Sequence, residues 1–210
     1  MPSFDLLLAF ITATAVFAYM PGPSMLYTAA QTIARGRKAG WFATFGIHLG
    51  GYVHVIAAAF GLALLFEAVP VLYLILKFAG AAYLVWLGLK LFFSKSGVSE
   101  EAPGLSGKSP SKAFWQSVTV EILNPKTALF YVAFLPQFID PAAAFPVWLQ
   151  LFILGTVINV MFSSADILCV LMADKVTRLI KGSPGAGRLA QRLGGSILIG
   201  LGANIALNRN

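Results

Sequence analysis

The chain is predicted to fold as an all-α membrane protein, with six transmembrane helices forming two inverted three-helix repeats whose first and fourth helices are broken. Three observations predict this. Of 210 residues, 58% are hydrophobic and only 11% charged, with a mean hydropathy of +0.80; soluble domains carry roughly a quarter charged residues. Basic residues fall in every second connection between apolar stretches. Two helix-breaking motifs, Pro21-Gly22-Pro23 and Asn124-Pro125-Lys126, interrupt apolar stretches at matching places in the two halves.

A bilayer core of about 30 Å needs roughly 20 apolar residues per helix. Six stretches qualify: 4–33 (broken at Pro21), 41–66, 71–93, 114–139 (broken near Pro125), 147–172 and 189–207. The last is short unless Arg188 and Arg192 snorkel to the interface. The first contains Ala13-Thr14-Ala15, which loosely resembles a signal-peptidase site. It lacks a basic flank, and apolar sequence continues beyond it, so it is expected to stay as a membrane helix.

The charges set the expected orientation. Arg35, Arg37 and Lys38 occupy the first connection, Lys90, Lys95, Lys108 and Lys112 the third, and Lys175, Arg178, Lys181, Arg188 and Arg192 the fifth. The second and fourth offer only Glu67 and Asp140. Positive loops stay in the cytoplasm, which places both termini outside. The net charge of +7 is therefore a topology signal and not a nucleic-acid surface. Segment 94–111, rich in Ser, Gly and Pro, reads as a cytoplasmic linker. It divides one integral membrane domain into halves 1–93 and 112–210. Each half has an odd number of spans, so the second enters the membrane in the opposite sense. The repeat is inferred from position, because the halves show no evident identity.

The breaks carry the strongest functional signal. Each proline removes an N–H and clashes with the carbonyl one turn earlier, and in hydrocarbon a freed backbone group needs a partner. One such break reads as a plain kink, relieved by the Ser24 or Thr28 hydroxyl. A matched pair reads as a transporter with its site between the breaks. Pro21, Gly22, Pro23 and Ser24 form the first candidate group, and Asn124, Pro125 and Lys126 the second.

Further polar residues fall on shared helix faces. Ser117, Glu121 and Asn124 follow at i, i+4 and i+7. An intramembrane carboxylate is by default a functional-site hypothesis; alternatives are a Glu121–Lys126 pair that only holds the bundle, or a Glu121 solvated near the interface. Thr156, Asn159, Ser163 and Asp166 form a stripe that must face protein or a water-filled cavity. Asp166 would carry a proton, bind an ammonium group or neutralise Lys126. His48 and His54 lie about 120° apart on one helix, too divergent for a metal pair. Each suits either packing or proton relay. His54 shares a face with Gly46, Gly50 and Gly61, as in close helix packing.

The single Cys169 excludes an intrachain disulfide, and no metal-ligand spacing, phosphate loop or nucleophile elbow is present. No cofactor is expected.

The run PGPSMLYTAAQTIARGRKAGWFATFGIHLGGYVHVIAAAFGLALLF, the segment NPKTALFYVAFLPQFI and the Gly-rich RLGGSILIGLGANIAL together resemble the lysine exporter (LysE/RhtB) family. The resemblance covers most of the chain. It implies a six-helix efflux protein of the bacterial inner membrane that exports amino acids or their derivatives, such as homoserine, threonine, leucine or lysine, in exchange for protons. It supports roles for Pro21, Gly22, Pro23, Asn124, Pro125 and Lys126, and fits Asp166. Position 24 departs from the pattern, since Asn is more usual there than Ser24, which puts substrate preference in question.

The expected partners are thus a small amino-acid-like substrate, protons and the lipid bilayer, with no nucleic acid; the small-residue faces leave a homo-oligomer open. Export of an inorganic cation is the alternative, though the chain offers few ligands for one. An intramembrane enzyme using His48, His54 and Asp166 lacks a compact triad, and a pure scaffold leaves two broken helices unexplained.

Overall fold

Prolines decide where the first helix stops. The computed structural model describes residues 4–69 and 110–182 throughout, with scattered positions within 71–93 and 192–203. Helix α1 (Phe4–Tyr19) ends where Pro21 and Pro23 withdraw two donors. Gly22 then runs extended, with φ −143° and ψ −178°, and Pro23 opens α2 (Pro23–Arg35) at a first-turn position that needs no N–H. α2 stops at Gly36, whose φ of 83° favours glycine. Its N–H closes the last turn onto the Thr32 carbonyl at 2.9 Å.

Helix α3 (Arg37–Ile56) continues through a π-helical segment, Ala57–Leu62, into α4 (Ala63–Ala68). Together they make an apolar helix, Arg37–Phe66, long enough to cross a bilayer. The span begins four residues earlier than the 41–66 expected from hydropathy, and so takes in Arg37 and Lys38.

The second half repeats the device. Helix α5 (Pro110–Ile122) breaks at Leu123-Asn124, and α6 (Pro125–Phe134) starts with Pro125 at its first turn. The Asn124 side chain accepts the Lys126 N–H at 3.1 Å, a side-chain N-cap. A 3₁₀ turn, Leu135–Gln137, follows. Helix α7 (Val147–Gly182) is kinked at Met172, where its membrane-length part, Val147–Met172, ends.

Leu6–Tyr19 with Pro23–Ile33, and Phe114–Ile122 with Pro125–Gln137, are each bent by 46°. Counting each pair as one span, four of the six expected spans are seen among the described residues. The stretches 71–93 and 189–207, Lys77 and most of the 94–111 linker lie outside the continuously described residues. Positions 110 and 111, expected to close the linker, already belong to α5.

Small residues determine how the helices approach. Gly46 of α3 lies against Phe114 and Ser117 of α5, and Gly50 against Val118 and Glu121. A constant offset of this kind means α3 and α5 run parallel. On another face Gly51 meets Asn159 and Gly155 meets Val55, with falling against rising numbers, so α7 is antiparallel to α3. The helix ends carrying Arg35 to Lys38, Lys112 and Lys175 therefore gather at one end of the bundle. The Gly46/Gly50 face is used within one chain. Gly61, expected on the same face, meets nothing within 4 Å among the described residues; it lies in the π-helical segment, which shifts it out of register.

The core is aromatic toward the other end: Phe10, Phe17, Phe130, Phe134 and Phe138 are buried. Leu8, Ile11, Phe45, Leu64, Ile153 and Val160 are exposed, with Phe45 at 66% and Leu64 at 65%. Such large apolar side chains facing outward suit lipid and not water.

Candidate functional site

The two breaks meet each other in the interior. Pro21 deprives the Phe17 carbonyl of its usual partner four residues on, and Pro125 does the same to the Glu121 carbonyl. Each is rescued by a basic side chain from elsewhere. Lys126 Nζ donates to the Met20 carbonyl at 2.6 Å and to the Phe17 carbonyl at 3.5 Å, and sits 4.7 Å from the centre of the Phe17 ring. His54 Nε2 meets the Glu121 carbonyl at 2.8 Å, beside the Asn124 N–H at 3.0 Å. The Phe17 carbonyl also accepts the Met20 N–H at 3.3 Å, so each freed carbonyl keeps one backbone donor and gains a basic side chain in place of the donor that proline removed.

A second bridge runs the opposite way. Ser24, just past the first break, donates its hydroxyl to Glu121 Oε2. Asn124 Nδ2 donates to Ser24 Oγ at 2.9 Å and to Glu121 Oε2 at 3.2 Å. Ser117, Glu121 and Asn124 are all buried, as their shared face predicts. The Glu121 carboxyl takes hydrogen bonds from Ser24, Asn124 and Thr127, and the Lys126 ammonium donates to carbonyls of the first break. Glu121 is 3% exposed and so is not solvated at an interface.

Between the breaks lies a cavity of about 30 Å³, room for one or two waters. Gly22, Ser24, Glu121, Asn124, Lys126, Asn159 and Asp166 line it, so seven of the twelve expected site residues converge there. Thr127 and Ser163 add hydroxyls, and Phe17, Met20, Met25, Ile47 and Phe162 form an apolar wall. The Asn159–Ser163–Asp166 stripe is buried and faces the cavity; Thr156 does not reach it. Pro21, Pro23 and Pro125 shape the backbone without lining the space.

The histidines stand one layer back. His48 Nδ1 meets Ser163 Oγ at 2.6 Å, and Ser163 gives its own proton to the Asn159 carbonyl at 2.8 Å. With that proton committed, Nδ1 carries the hydrogen in this arrangement. Asn159 Nδ2 in turn donates to the His48 carbonyl at 3.1 Å. His48 thus positions the polar stripe of α7, and His54 caps α5.

This cavity joins a lysine ammonium, carboxyl groups, amides and an apolar wall, all held by broken membrane helices. A family model described as LysE type translocator matches residues 15–209. The chain belongs to the LysE family of translocators. It is a multi-pass membrane transporter and not an enzyme.

Among relatives of this LysE-family protein, the "Leucine efflux protein" of Klebsiella pneumoniae subsp. pneumoniae is 31% identical, over 95% of this chain and 93% of the relative. A second "Leucine efflux protein", from Enterobacter sp., is 31% identical over 89% of this chain and 88% of its own. The "Uncharacterized membrane protein YrhP" of Bacillus subtilis is 31% identical over 96% and 99%. No solved structure matches the chain.

Sequence reasoning missed Thr127, Phe17 and Phe162 as site residues. An aromatic residue in an apolar helix carries no local signal of function. Thr127 directly follows Lys126 and was within reach of the same motif. Among the described residues no group of three His, Cys, Asp or Glu side chains could hold a metal ion.

Proposed function

We propose that this protein exports a small amino acid with one ammonium group and an apolar side chain from the bacterial cytoplasm, in exchange for protons. The observation that carries the reading is the pairing of Lys126 and Asp166 with an apolar wall in one cavity between two broken helices. Lys126 attracts the substrate carboxylate and Asp166 its ammonium. Glu121 is already engaged by Ser24 and Asn124, which leaves one carboxyl for one ammonium and disfavours a dibasic substrate such as lysine. Phe17, Met25, Ile47 and Phe162 accept the side chain. The printed names of the leucine efflux relatives agree with this chemistry.

Coupling follows from shared occupancy. Asp166 takes either the substrate ammonium or a proton, so each species that binds displaces the other. Only such differential binding can drive alternation between inward and outward states. The fold supports an inverted repeat, because α1–α2 runs toward the basic end and α5–α6 away from it, with equal 46° bends. By the positive-inside rule the basic end is cytoplasmic and both termini are outside. The domain division into 1–93, a 94–111 linker and 112–210 belongs to the same reading.

The test uses proteoliposomes loaded with labelled leucine, threonine, homoserine and lysine under an inward proton gradient. Efflux of leucine ahead of lysine, abolished by collapsing the gradient, is expected. Gradient-independent leakage of all four would sink the proposal.

A further inference from the structure

Three aromatic rings from three helices close one end of the cavity. Phe17 of α1 and Phe130 of α6 stack with centroids 3.9 Å apart, and Phe162 of α7 stands 5.7 Å from each. Phe17 and Phe162 line the cavity, whereas Phe130 is wholly buried behind them. Beyond Phe130 the stack continues through Phe134 at 4.4 Å, Phe138 at 4.6 Å from Phe134, and Phe10 at 5.1 Å from Phe138. This column leads away from the basic end of the bundle.

The other end is built differently. Five residues past its break-opening proline, α2 carries Thr28 where α6 carries Phe130; nine residues past, Thr32 stands where α6 has Phe134. Toward the basic end, α2 touches α7 through Cys169 Sγ, which donates to the Met25 carbonyl at 3.8 Å, and Thr32 packs against Gly40. Thr28 Oγ1 is buried with no hydrogen-bond partner, as is the Thr44 hydroxyl on the facing helix. One barrier is a column of aromatic rings; the other mixes the Thr28, Thr32 and Thr44 hydroxyls with the buried Tyr27, Gln31 and Ile47. Aromatic pairs hold through face and edge contacts beyond the area they bury, so the ring barrier is the harder to part.

We propose that Phe17, Phe130 and Phe162 form the outer gate of the translocation path, and that their packing sets which side chains leave. The proposal rests on the exporter reading above for its direction. Phe17 and Phe162 hold the substrate side chain, and release requires Phe130 to withdraw from Phe17. Phe17 also lies under the Lys126 ammonium, so a carboxylate that draws Lys126 away loosens the same ring. Substrate binding and gate opening thereby share one side chain.

The experiment reads sidedness and needs no substrate. Cys169, the only cysteine, is replaced by serine. Thr127→Cys then places a thiol on the cavity wall, and a membrane-impermeant maleimide is applied from each face of oriented vesicles. Phe130→Ala is expected to raise labelling from the face opposite the basic loops by roughly tenfold, a factor that reports a shifted open population. Labelling from the basic face stays unchanged, and Phe130→Tyr stays slow. Unchanged labelling from the outer face, or an equal rise from both faces, would overturn the gate. Should Phe130→Ala not fold, Phe162→Leu carries the same expectation. Sided labelling, together with no amino-acid efflux by the unsubstituted protein, would instead reject the exporter reading and leave the gate standing.

Discussion

Lys126 Nζ stands 2.6 Å from the carbonyl oxygen of Met20, so the residue just past the second helix break caps the helix that ends at the first. The reverse link has the same form. Ser24, one residue past Pro23, reaches the Glu121 carboxyl of the second break, as Lys126, one residue past Pro125, reaches Met20. Neither break is stable alone, since each frees backbone groups that hydrocarbon does not solvate. The two are therefore coupled in folding and available to be coupled in transport, because a substrate that engages Lys126 acts on both.

Lys126→Ala removes a charged donor from the Met20 and Phe17 carbonyls. Loss of efflux is expected, with a stability loss of about 1–3 kcal/mol, chiefly from the Met20 carbonyl losing its charged donor. Lys126→Arg should recover stability before transport, because a guanidinium keeps the charge but not the geometry of the ammonium. Unfolding in detergent and efflux rate, measured on both variants, check this.

Gly22→Ala tests the cavity more gently. An added Cβ would lie 2.8 Å from Lys126 Cδ and Nζ, the flexible end of a side chain. The extended backbone at Gly22 accepts alanine, so the fold should survive while Lys126 is displaced. Efflux is expected to fall by roughly tenfold or more, an effect equivalent to about 1.4 kcal/mol. Wild-type rates in a well-folded variant would show that the position of Lys126 does not matter.

Gly50→Val and Gly61→Ala should behave oppositely. At Gly50 a Cβ would meet the Val118 carbonyl at 2.8 Å and Glu121 Cβ at 2.9 Å, backbone and stem atoms that cannot swing away. Overpacking there is expected to cost about 1–3 kcal/mol or to prevent assembly. Gly61 has open space among the described residues and should tolerate alanine. Comparable melting temperatures for the two variants would contradict the observed α3–α5 contact.

Asp166→Asn keeps shape and hydrogen-bonding capacity but removes the exchangeable charge. Proton-driven exchange should vanish while the protein remains folded. His54→Gln should instead lower stability by about 1–2 kcal/mol, by weakening the cap on the Glu121 carbonyl, and leave the pH profile of transport unaltered. A shifted pH profile in His54→Gln would restore that histidine to the proton path.

The sequence by itself determined the class and the two helix breaks. Composition and proline chemistry are local properties: Pro21, Pro23 and Pro125 stop helices wherever they stand. The face shared by Ser117, Glu121 and Asn124, and the stripe from Asn159 to Asp166, were legible because helical periodicity alone places them. Which residues meet was decided only by tertiary structure. Glu121 and Lys126, five apart in the chain, flank the second break, and each also reaches across to the first. Glu121 accepts from Ser24, and Lys126 donates to the Met20 carbonyl. His48 and His54 looked equivalent on one helix, but α7 meets one and α5 the other. Phe17, Phe130 and Phe162 look like core in any apolar helix. They form one cluster because Gly46, Gly50 and Gly51 let α5 and α7 close on α3, a long-range packing that no local pattern encodes.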